Sequence, residues 1–253
     1  HGIEGLVWHD TFPLAGASAE EVQKLRTARR LIVDRRGKTR DYLCPLNPEN
    51  WAHEIALCRE LVTKYEPAGM QLDHTRYPSY PPIYCYCESC RRLYADETGA
   101  QAKPWPQAVL SGDAAAAYLR WGTARLAKFV ATCAEAIHST RGSVKVSGAM
   151  FGWPEPRAQV GQDAVAWAKA GLDFLVFMNF HGSNAAYGQL VDGQIAELAD
   201  RLPVYSGIGA FSHTAWFDSP VPLIDQVLLT REHGADGFVL YQHTPELMER
   251  FLP

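Results

Sequence analysis

The sequence predicts one α/β domain built as a parallel (β/α)8 barrel of the TIM type. From residue 144 onward, short apolar runs rich in β-branched and aromatic residues alternate with stretches of helical composition. These runs do not alternate with polar residues, which indicates strands buried on both faces, as parallel strands between helices must be. Polar residues gather where the runs end, and barrels of this type carry their functional groups at the carboxyl ends of the strands.

Six strands and six helices can be assigned in order along the chain. The first half follows the same alternation as the second, with longer connections. Since a closed barrel has eight strands, we expect the missing two to precede His1. The strands are predicted at residues 5–8, 68–73, 144–151, 174–180, 204–210 and 237–242, and the helices at 19–29, 47–65, 113–138, 163–170, 189–201 and 221–233.

The helix predicted at residues 47–65 has the most specific start signal. Asn47 can cap the helix, Pro48 suits its first position, and Glu49 places an acid in its first turn. One face of the helix is apolar at helical spacing. That face carries Trp51, Ile55, Cys58, Val62 and Tyr65.

Composition narrows the class of protein. The chain has 253 residues, of which 47% are hydrophobic and 21% charged, with a formal net charge of -4. We expect a single domain over residues 1–253, with an inserted cysteine-rich loop at about 78–112. The apolar runs are too short to span a membrane, and no basic stripe suggests nucleic-acid binding. No G-x-G-x-x-G turn follows a predicted strand, so no organic cofactor is expected.

The predicted strand ends combine polar side chains with aromatic rings. This mixture suits a carbohydrate, because sugar hydroxyls need hydrogen-bonding partners while the C–H faces of the ring stack on aromatics. We therefore predict a carbohydrate-binding site at this end of the barrel. Its candidate substrate-binding residues are His9, Asp10, Arg76, Tyr77, Trp153, Asn179, His181, Gln242 and His243.

Asp73 is the predicted nucleophile or general base. It follows the apolar run at residues 69–72, so its carboxylate should emerge in an open cavity at the mouth of the barrel. Arg76 is close enough in sequence to favour the ionised form. The alternative is that Asp73 and Arg76 form an ordinary ion pair that holds the loop.

Hydrolysis of a glycoside normally requires a second carboxyl group, which protonates the leaving oxygen. Glu155 is the predicted general acid, because it lies in a Trp-Pro-Glu-Pro segment whose apolar surface would favour the protonated form. The alternative is that Glu155 is a solvated loop residue. Asp10 is the other candidate, although it could instead bind a sugar hydroxyl.

Four cysteines are predicted to hold a structural zinc ion. Cys85, Cys87 and Cys90 lie within six residues, a spacing that suits tetrahedral zinc. Cys44 is the best candidate for the fourth ligand, because it precedes the helix that leads into the Asp73 strand. A disulfide within the loop, with a spare thiol, is the alternative.

Two resemblances to known families follow from these segments. The Leu-Cys-Pro-Leu-Asn-Pro segment at 43–48, the Lys-Tyr pair at 64–65 and the Asp-His-Thr-Arg-Tyr-Pro segment at 73–78 resemble glycosyl-hydrolase-like family 10. The Phe-Met-Asn-Phe segment at 177–180 is similar to a later strand of that family. The resemblance implies a TIM barrel that hydrolyses glycosides. It also implies that residues 7–12 correspond to the third barrel strand.

The cysteine pattern resembles the zinc cluster of the family 42 β-galactosidases. In that family a Cys-Pro precedes a helix and a Cys-x-Cys-x-x-Cys follows the fourth strand, as at Cys44 and at residues 85–90 here. The family's Asn-Glu acid at the end of that strand is replaced by Asp73-His74. The resemblance therefore implies a barrel and a zinc site, but not the acid residue or the specificity of that family.

Taken together, these patterns predict a glycoside hydrolase acting on a polysaccharide or glycoside. Two other classes stay open from the residues alone. A non-catalytic carbohydrate-binding barrel is possible, because no acid pair is obvious. A metal-dependent, amidohydrolase-like enzyme would use the histidines at the strand ends, although no H-x-H pair or H-E-x-x-H helix is present.

Overall fold

The computed structural model describes residues 2–79, 81–212, 215–242 and 244–251, and it shows an α/β fold. None of the helices in these ranges is long and apolar enough to cross a membrane. The strands are β1 (Leu6–Asp10), β2 (Leu31–Val33), β3 (Thr39–Leu43), β4 (Gly69–Asp73), β5 (Lys145–Phe151), β6 (Phe174–Met178), β7 (Val204–Gly209) and β8 (Gly237–Tyr241). The helices are α1 (Ala19–Thr27), α2 (Pro48–Lys64), α3 (Glu88–Thr98), α4 (Gly112–Thr140), α5 (Pro154–Gln159), α6 (Ala164–Ala168), α7 (Asn184–Leu198), α8 (Pro220–Glu232) and α9 (Pro245–Arg250).

Six of the strands form one parallel sheet in the order β1-β4-β5-β6-β7-β8. All six predicted strands are confirmed, with bounds that differ by a few residues at most. The remaining two strands, β2 and β3, pair with each other as an antiparallel hairpin. Asp10 and Asp73 are register partners on β1 and β4, so the two carboxylates lie side by side at the carboxyl end of the sheet.

The parallel sheet curls into a partial barrel. The side-chain amide of Gln71 on β4 donates to the hydroxyl of Tyr241 on β8 at 3.0 Å, although three strands separate β4 from β8 in the sheet. Only a curled sheet brings these two side chains together. We call the inner side of the curl, which carries Trp8, Asp10, Gln71, Asp73 and Tyr241, the concave face.

The main hydrophobic core lies between the sheet and the helices on its outer side. The ring of Phe129 on α4 packs at 5.0 Å from Phe12 and at 5.5 Å from Trp51 on α2. The start of α2 is confirmed, since the side chain of Asn47 accepts the backbone N–H of Glu49 at 2.8 Å. The apolar face is shorter than predicted, because Tyr65 follows the helix and is 62% exposed.

Some elements were not predicted from the sequence. The β2–β3 hairpin is held by the carboxylate of Asp34, which accepts the backbone N–H groups of Arg36 at 2.9 Å and Lys38 at 3.0 Å. Helix α3 lies inside the segment expected to be a cysteine-rich loop, and it has no side-chain cap that would mark its start. Helices α5 and α9 have only six residues each, and α7 begins earlier than predicted because Ser183 caps it.

Candidate active site and metal centre

Asp73 ends β4 on the concave face, and its carboxylate accepts three hydrogen bonds. The indole N–H of Trp8 donates to Oδ2 at 3.0 Å. The backbone N–H of His74 donates to Oδ1 at 2.6 Å, and the guanidinium of Arg76 donates to the same oxygen at 3.2 Å. Three donors on one carboxylate hold both of its oxygens in place. The sequence indicated only the contribution of Arg76.

The accessibility of Asp73 differs from the expectation of an open carboxylate. Only 2% of Asp73 is exposed, whereas Trp8 is 59% exposed. The indole of Trp8 thus lies between Oδ2 and solvent. The carboxylate is on the polar side of the sheet, as predicted, but a neighbouring ring covers it. Sequence reasoning missed this because Trp8 belongs to a different strand.

A second group beside Asp73 consists of Asp10 and His74. The imidazole Nδ1 of His74 lies 2.5 Å from Oδ1 of Asp10 and 3.8 Å from Oδ1 of Asp73. Each of the three residues offers a ligand atom, and these atoms lie within 4.8 Å of one another. His74 was not among the predicted site residues, although its position directly after Asp73 at a strand end was a usable signal.

Aromatic rings line the concave face around these polar groups. The guanidinium of Arg76 lies 4.6 Å from the centroid of the Phe151 ring. The rings of Phe180 and Tyr241 pack at 4.9 Å. Burial and the nearby charge of Asp73 raise the pKa of Tyr241 far above its usual value, so this hydroxyl stays protonated. The site therefore combines fixed polar groups with apolar ring faces.

Tyr42 on β3 contacts the backbone of the loop that follows β4. Its hydroxyl lies within hydrogen-bond distance of two backbone carbonyls, those of His74 at 3.3 Å and Arg76 at 3.2 Å. Burial raises the pKa of Tyr42 far above its usual range, so the hydroxyl remains a donor. The β2–β3 hairpin thus supports the loop that carries His74 and Arg76.

Three predicted substrate-binding residues do not reach the concave face. His9 points to the helices, where its Nε2 lies 2.9 Å from a carboxylate oxygen of Glu54. Burial opposes protonation of His9, but the hydrogen bond to Glu54 and nearby negative charge outweigh it and raise the pKa. Tyr77 is 2% exposed and packs edge-on against Tyr84, with ring centroids 5.2 Å apart.

Asn179 is the third of these residues and is fully buried. Its amide donates to the side chains of Gln194 and Ser206, both at 2.9 Å, and its oxygen accepts from Gln194 at 2.6 Å. The amide is therefore satisfied within the protein and faces α7. The prediction that it binds substrate is not supported by this position.

Four further predicted residues follow the strands β5, β6 and β8, and we call them the outer rim: Trp153, Glu155, His181 and Gln242. Trp153 is 44% exposed and packs edge-on against His181, with ring centroids 5.7 Å apart. Glu155 is exposed on α5, and its carboxylate accepts from Gln159 at 3.2 Å. The side chain of Glu155 is thus open to solvent. Gln242 is exposed after β8, and His243 lies outside the described residues.

The four predicted cysteines meet in a buried cluster. Sγ of Cys44 lies 3.5 Å from that of Cys90 and 3.9 Å from that of Cys87, and Cys87 and Cys90 are 3.6 Å apart. Sγ of Cys85 lies within 4.8 Å of the other three. A tetrahedral zinc ion with Zn–S bonds of about 2.3 Å separates its sulfurs by about 3.8 Å. The four side chains therefore fit a tetrahedral thiolate site.

The surroundings of the cluster also suit a thiolate site. Hydrogen bonds from Cys44 and the other thiols lower the pKa of Cys87, which favours the anionic ligand form. The backbone N–H of Val33 on β2 points to Sγ of Cys85 at 3.5 Å. Because its ligands come from the start of α2 and the start of α3, a metal here would join the two segments that flank β4.

Comparison with known proteins identifies the family. The model of the glycosyl hydrolase-like 10 family matches residues 18–209. A comparison with curated protein sequences found no significant match. Among solved structures, the PgaB (BpsB) glycoside hydrolase domain from Bordetella bronchiseptica is similar, with a TM-score of 0.71 and 14% identity over 95% of this chain and 71% of that chain.

Two β-galactosidases have a similar fold, at comparably low sequence identity. The enzyme from the haloarchaeon Halorubrum lacusprofundi has a TM-score of 0.71 and 15% identity over 98% of this chain. Gan42B, a GH42 β-galactosidase from G. stearothermophilus, has a TM-score of 0.63 and 12% identity over 89% of this chain. The chain spans only 44% and 39% of these two proteins, so the likeness concerns their barrel fold. The family match and the partial barrel together show that this chain belongs to the glycosyl hydrolase-like 10 family and is a hydrolase of the glycoside-hydrolase type.

Proposed function

We propose that this domain hydrolyses O-glycosidic bonds of a polysaccharide or glycoside, with Asp73 as nucleophile or general base. The observation that carries the proposal is the carboxylate of Asp73 at the carboxyl end of β4, held by Trp8, Arg76 and the backbone of His74. Preorganised donors of this kind fix the geometry of a reacting group before the substrate arrives. Glycoside hydrolysis uses such a carboxylate next to the anomeric carbon.

The concave face supports a carbohydrate as the substrate. Its rings include Trp8, Phe151 and Tyr241, which can stack on the C–H faces of a sugar. Asp10 and Arg76 offer an acceptor and a donor for hydroxyl groups. On the outer rim we propose that Trp153, His181 and Gln242 extend the binding surface toward further sugar units.

Access to Asp73 requires that Trp8 moves. The exposed indole covers Oδ2, so a sugar can approach this oxygen only after the N–H···O bond breaks. A hydrogen bond to a charged group contributes about 1.5–3 kcal/mol, which substrate binding must offset. Since Trp8 is 59% exposed, its ring can swing out without disturbing the core and then stack on the bound sugar.

Glu155 is the proton donor proposed from the sequence. Retaining enzymes place the two reacting groups about 5–5.5 Å apart and inverting enzymes about 6.5–9.5 Å apart. Glu155 follows β5, a neighbour of β4, and is open to solvent, so a substrate could reach it. Replacing Glu155 by Gln tests this role in the assay described below.

The proposal is tested by Asp73→Asn, which keeps the shape of the side chain but removes its charge. We expect wild-type protein to release reducing ends from at least one substrate in a panel of polysaccharides and aryl glycosides. Asp73→Asn should lose this activity while circular dichroism still shows a folded protein, although its melting temperature should fall because Arg76 loses its buried counter-ion. Asp96→Asn is the matched control, because Asp96 is exposed on α3, remote in sequence from the site. Full activity of Asp73→Asn would refute the role of Asp73.

A catalytically silent carbohydrate-binding barrel is the second candidate function. The observation that favours it is the 2% exposure of Asp73. If Trp8 never leaves the carboxylate, the rings of the concave face bind sugars without turnover. Retention of glycans on the immobilised protein, with no reducing ends released by the wild type, would support this function instead.

We also propose that Cys44, Cys85, Cys87 and Cys90 hold a structural zinc ion. The sulfur distances carry this proposal, because they match the separation of sulfurs in a tetrahedral zinc thiolate site. Zinc with four protein ligands has no open position for a substrate, so its role is to fix the loops beside the active site. Tyr118 adds to this support by donating its hydroxyl to the backbone carbonyl of Cys85 at 2.5 Å.

A further inference from the structure

His74 has a backbone conformation that its residue type rarely adopts. Its φ is 50°, in the left-handed region that favours glycine. Two contacts hold it there: its N–H donates to Asp73 at 2.6 Å, and its carbonyl faces the hydroxyl of Tyr42 at 3.3 Å. An unfavourable conformation that the surroundings enforce beside a candidate active site calls for a functional explanation.

The conformation directs the imidazole ring of His74 toward two carboxylates. Nδ1 lies 2.5 Å from Asp10 and 3.8 Å from Asp73, so a protonated ring forms ion pairs with both. With Nδ1–H held by Asp10, the atom that can exchange a proton is Nε2. Among the described residues, Nε2 of His74 has no hydrogen-bond partner. The side chain of His74 is 35% exposed, against 3% for that of Asp73, so a substrate meets the imidazole first.

We propose that His74 is the general acid and base of the hydrolysis, with Asp10 as its positioning residue. This inference rests on the function proposed above and replaces Glu155 as proton donor. In the first step Nε2–H protonates the glycosidic oxygen, the C1–O bond breaks, and a carboxylate oxygen of Asp73 bonds to C1. In the second step neutral His74 takes a proton from water, the water oxygen bonds to C1, and the C1–Asp73 bond breaks. The imidazolium and the free carboxylate are thereby restored.

The charges around His74 fit this role. Asp10 faces it from β1 and Asp73 from β4, and the guanidinium of Arg76 contacts the same oxygen of Asp73, Oδ1, at 3.2 Å. Tyr42 on β3 contacts only its carbonyl.

The same three side chains suit proton transfer better than a bound cation. Asp10, Asp73 and His74 each offer one atom of a type that binds metal ions. However, Asp73 already accepts three N–H groups, one of them from the positively charged Arg76. A cation at Asp73 would compete with these donors and would be repelled by the guanidinium. The geometry therefore favours an acid and base pair.

The test compares two leaving groups on one sugar. Wild type, His74→Asn and the control His53→Asn are assayed with dinitrophenyl and methoxyphenyl glycosides of common hexoses. Asn accepts a positive φ more readily than most residues, so His74→Asn should keep the loop conformation. His53 is exposed on α2, which makes it a matched control.

The expected result is a loss that depends on the leaving group. A dinitrophenyl group leaves without protonation, whereas a methoxyphenyl group needs the acid. His74→Asn should therefore lower kcat/KM about 100-fold to 10,000-fold on the methoxyphenyl glycoside and far less on the dinitrophenyl glycoside. The alkaline limb of the pH profile should disappear, and added azide should yield a glycosyl azide. Asp10→Asn should show the same pattern to a smaller extent.

Other outcomes separate this inference from the proposed function. An equal loss on both glycosides, or none, would overturn the role of His74 while the hydrolase function stands. A leaving-group-dependent loss in Glu155→Gln alone would assign the proton donor to Glu155. No hydrolysis by the wild type would overturn both proposals. If His74→Asn does not fold, His74→Gly replaces it in the test, because glycine also accepts a positive φ. Recovery of the activity of His74→Gly by added imidazole would support the role of His74, and no recovery would overturn it.

Discussion

The cysteine cluster gives the sharpest prediction about stability. We expect the wild-type protein to contain one zinc ion per chain, and Cys44→Ala to lose it. Cys44 is the one ligand from outside the segment at 85–90, so its removal disconnects α2 from α3. A metal present at about 1,000 times its dissociation constant stabilises the folded state by about 4 kcal/mol. At about 2–4 °C per kcal/mol for a chain of this size, the melting temperature should fall by about 8–16 °C.

The assay is metal analysis combined with thermal unfolding, with and without a chelator. Cys133→Ala is the matched control, because Cys133 is also buried but lies outside the four-cysteine group. Both variants lose a buried thiol, yet only Cys44→Ala should lose zinc and become insensitive to the chelator. Zinc that persists in a Cys44→Ala/Cys87→Ala double variant would refute the site. A wild-type protein without zinc, unaffected by chelator, would refute it as well.

Two further predictions concern side chains away from the cluster. Asn179→Ala should destabilise the protein by about 1–3 kcal/mol in urea unfolding, because Gln194 and Ser206 lose their buried partner. The KM of this variant should not change. A raised KM with normal stability would show instead that Asn179 binds the sugar. Burial opposes ionisation of Asp173, but Lys145, the backbone of Val146 and His138 outweigh it and lower its pKa below 3.8. A carboxyl group whose pKa is lower in the folded state than in the unfolded state stabilises the fold at pH values above its unfolded-state pKa. This stabilisation is lost as the pH falls through its folded-state pKa. Asp173→Asn should thus be less stable than wild type near neutral pH and equally stable in strong acid, and a constant difference across this range would contradict the ion pair.

The fold could be predicted because its signals are local. Buried parallel strands carry continuous apolar runs, and the start of α2 is marked by Asn47 and Pro48. The cysteine cluster could also be predicted from the sequence, because three of its ligands lie within one short segment. The β2–β3 hairpin and α3 were missed because β2 has three residues and α3 lacks a capping side chain. Short elements of this kind depend on tertiary contacts rather than on pattern.

The candidate site was harder to predict because it depends on contacts between strands. The sequence placed Asp73 at the correct end of β4, yet the indole that covers it comes from β1. Likewise, the contact between Gln71 and Tyr241 exists only because the sheet curls. Neither partner is near in sequence, so no local pattern could indicate that the carboxylate is covered.

Alternation along the strands explains which polar residues reach the site. Successive side chains of a strand point to opposite faces, so of the neighbours His9 and Asp10 only one can face the interior of the barrel. Asp10 does so, and His9 turns to Glu54 on α2. By the same rule His74 should turn away from Asp73. Its positive φ breaks the alternation and returns the imidazole to the side of Asp10 and Asp73. The unusual backbone of His74 is thus what adds a titratable group to the two carboxylates, and a strict strand pattern could not have produced this arrangement.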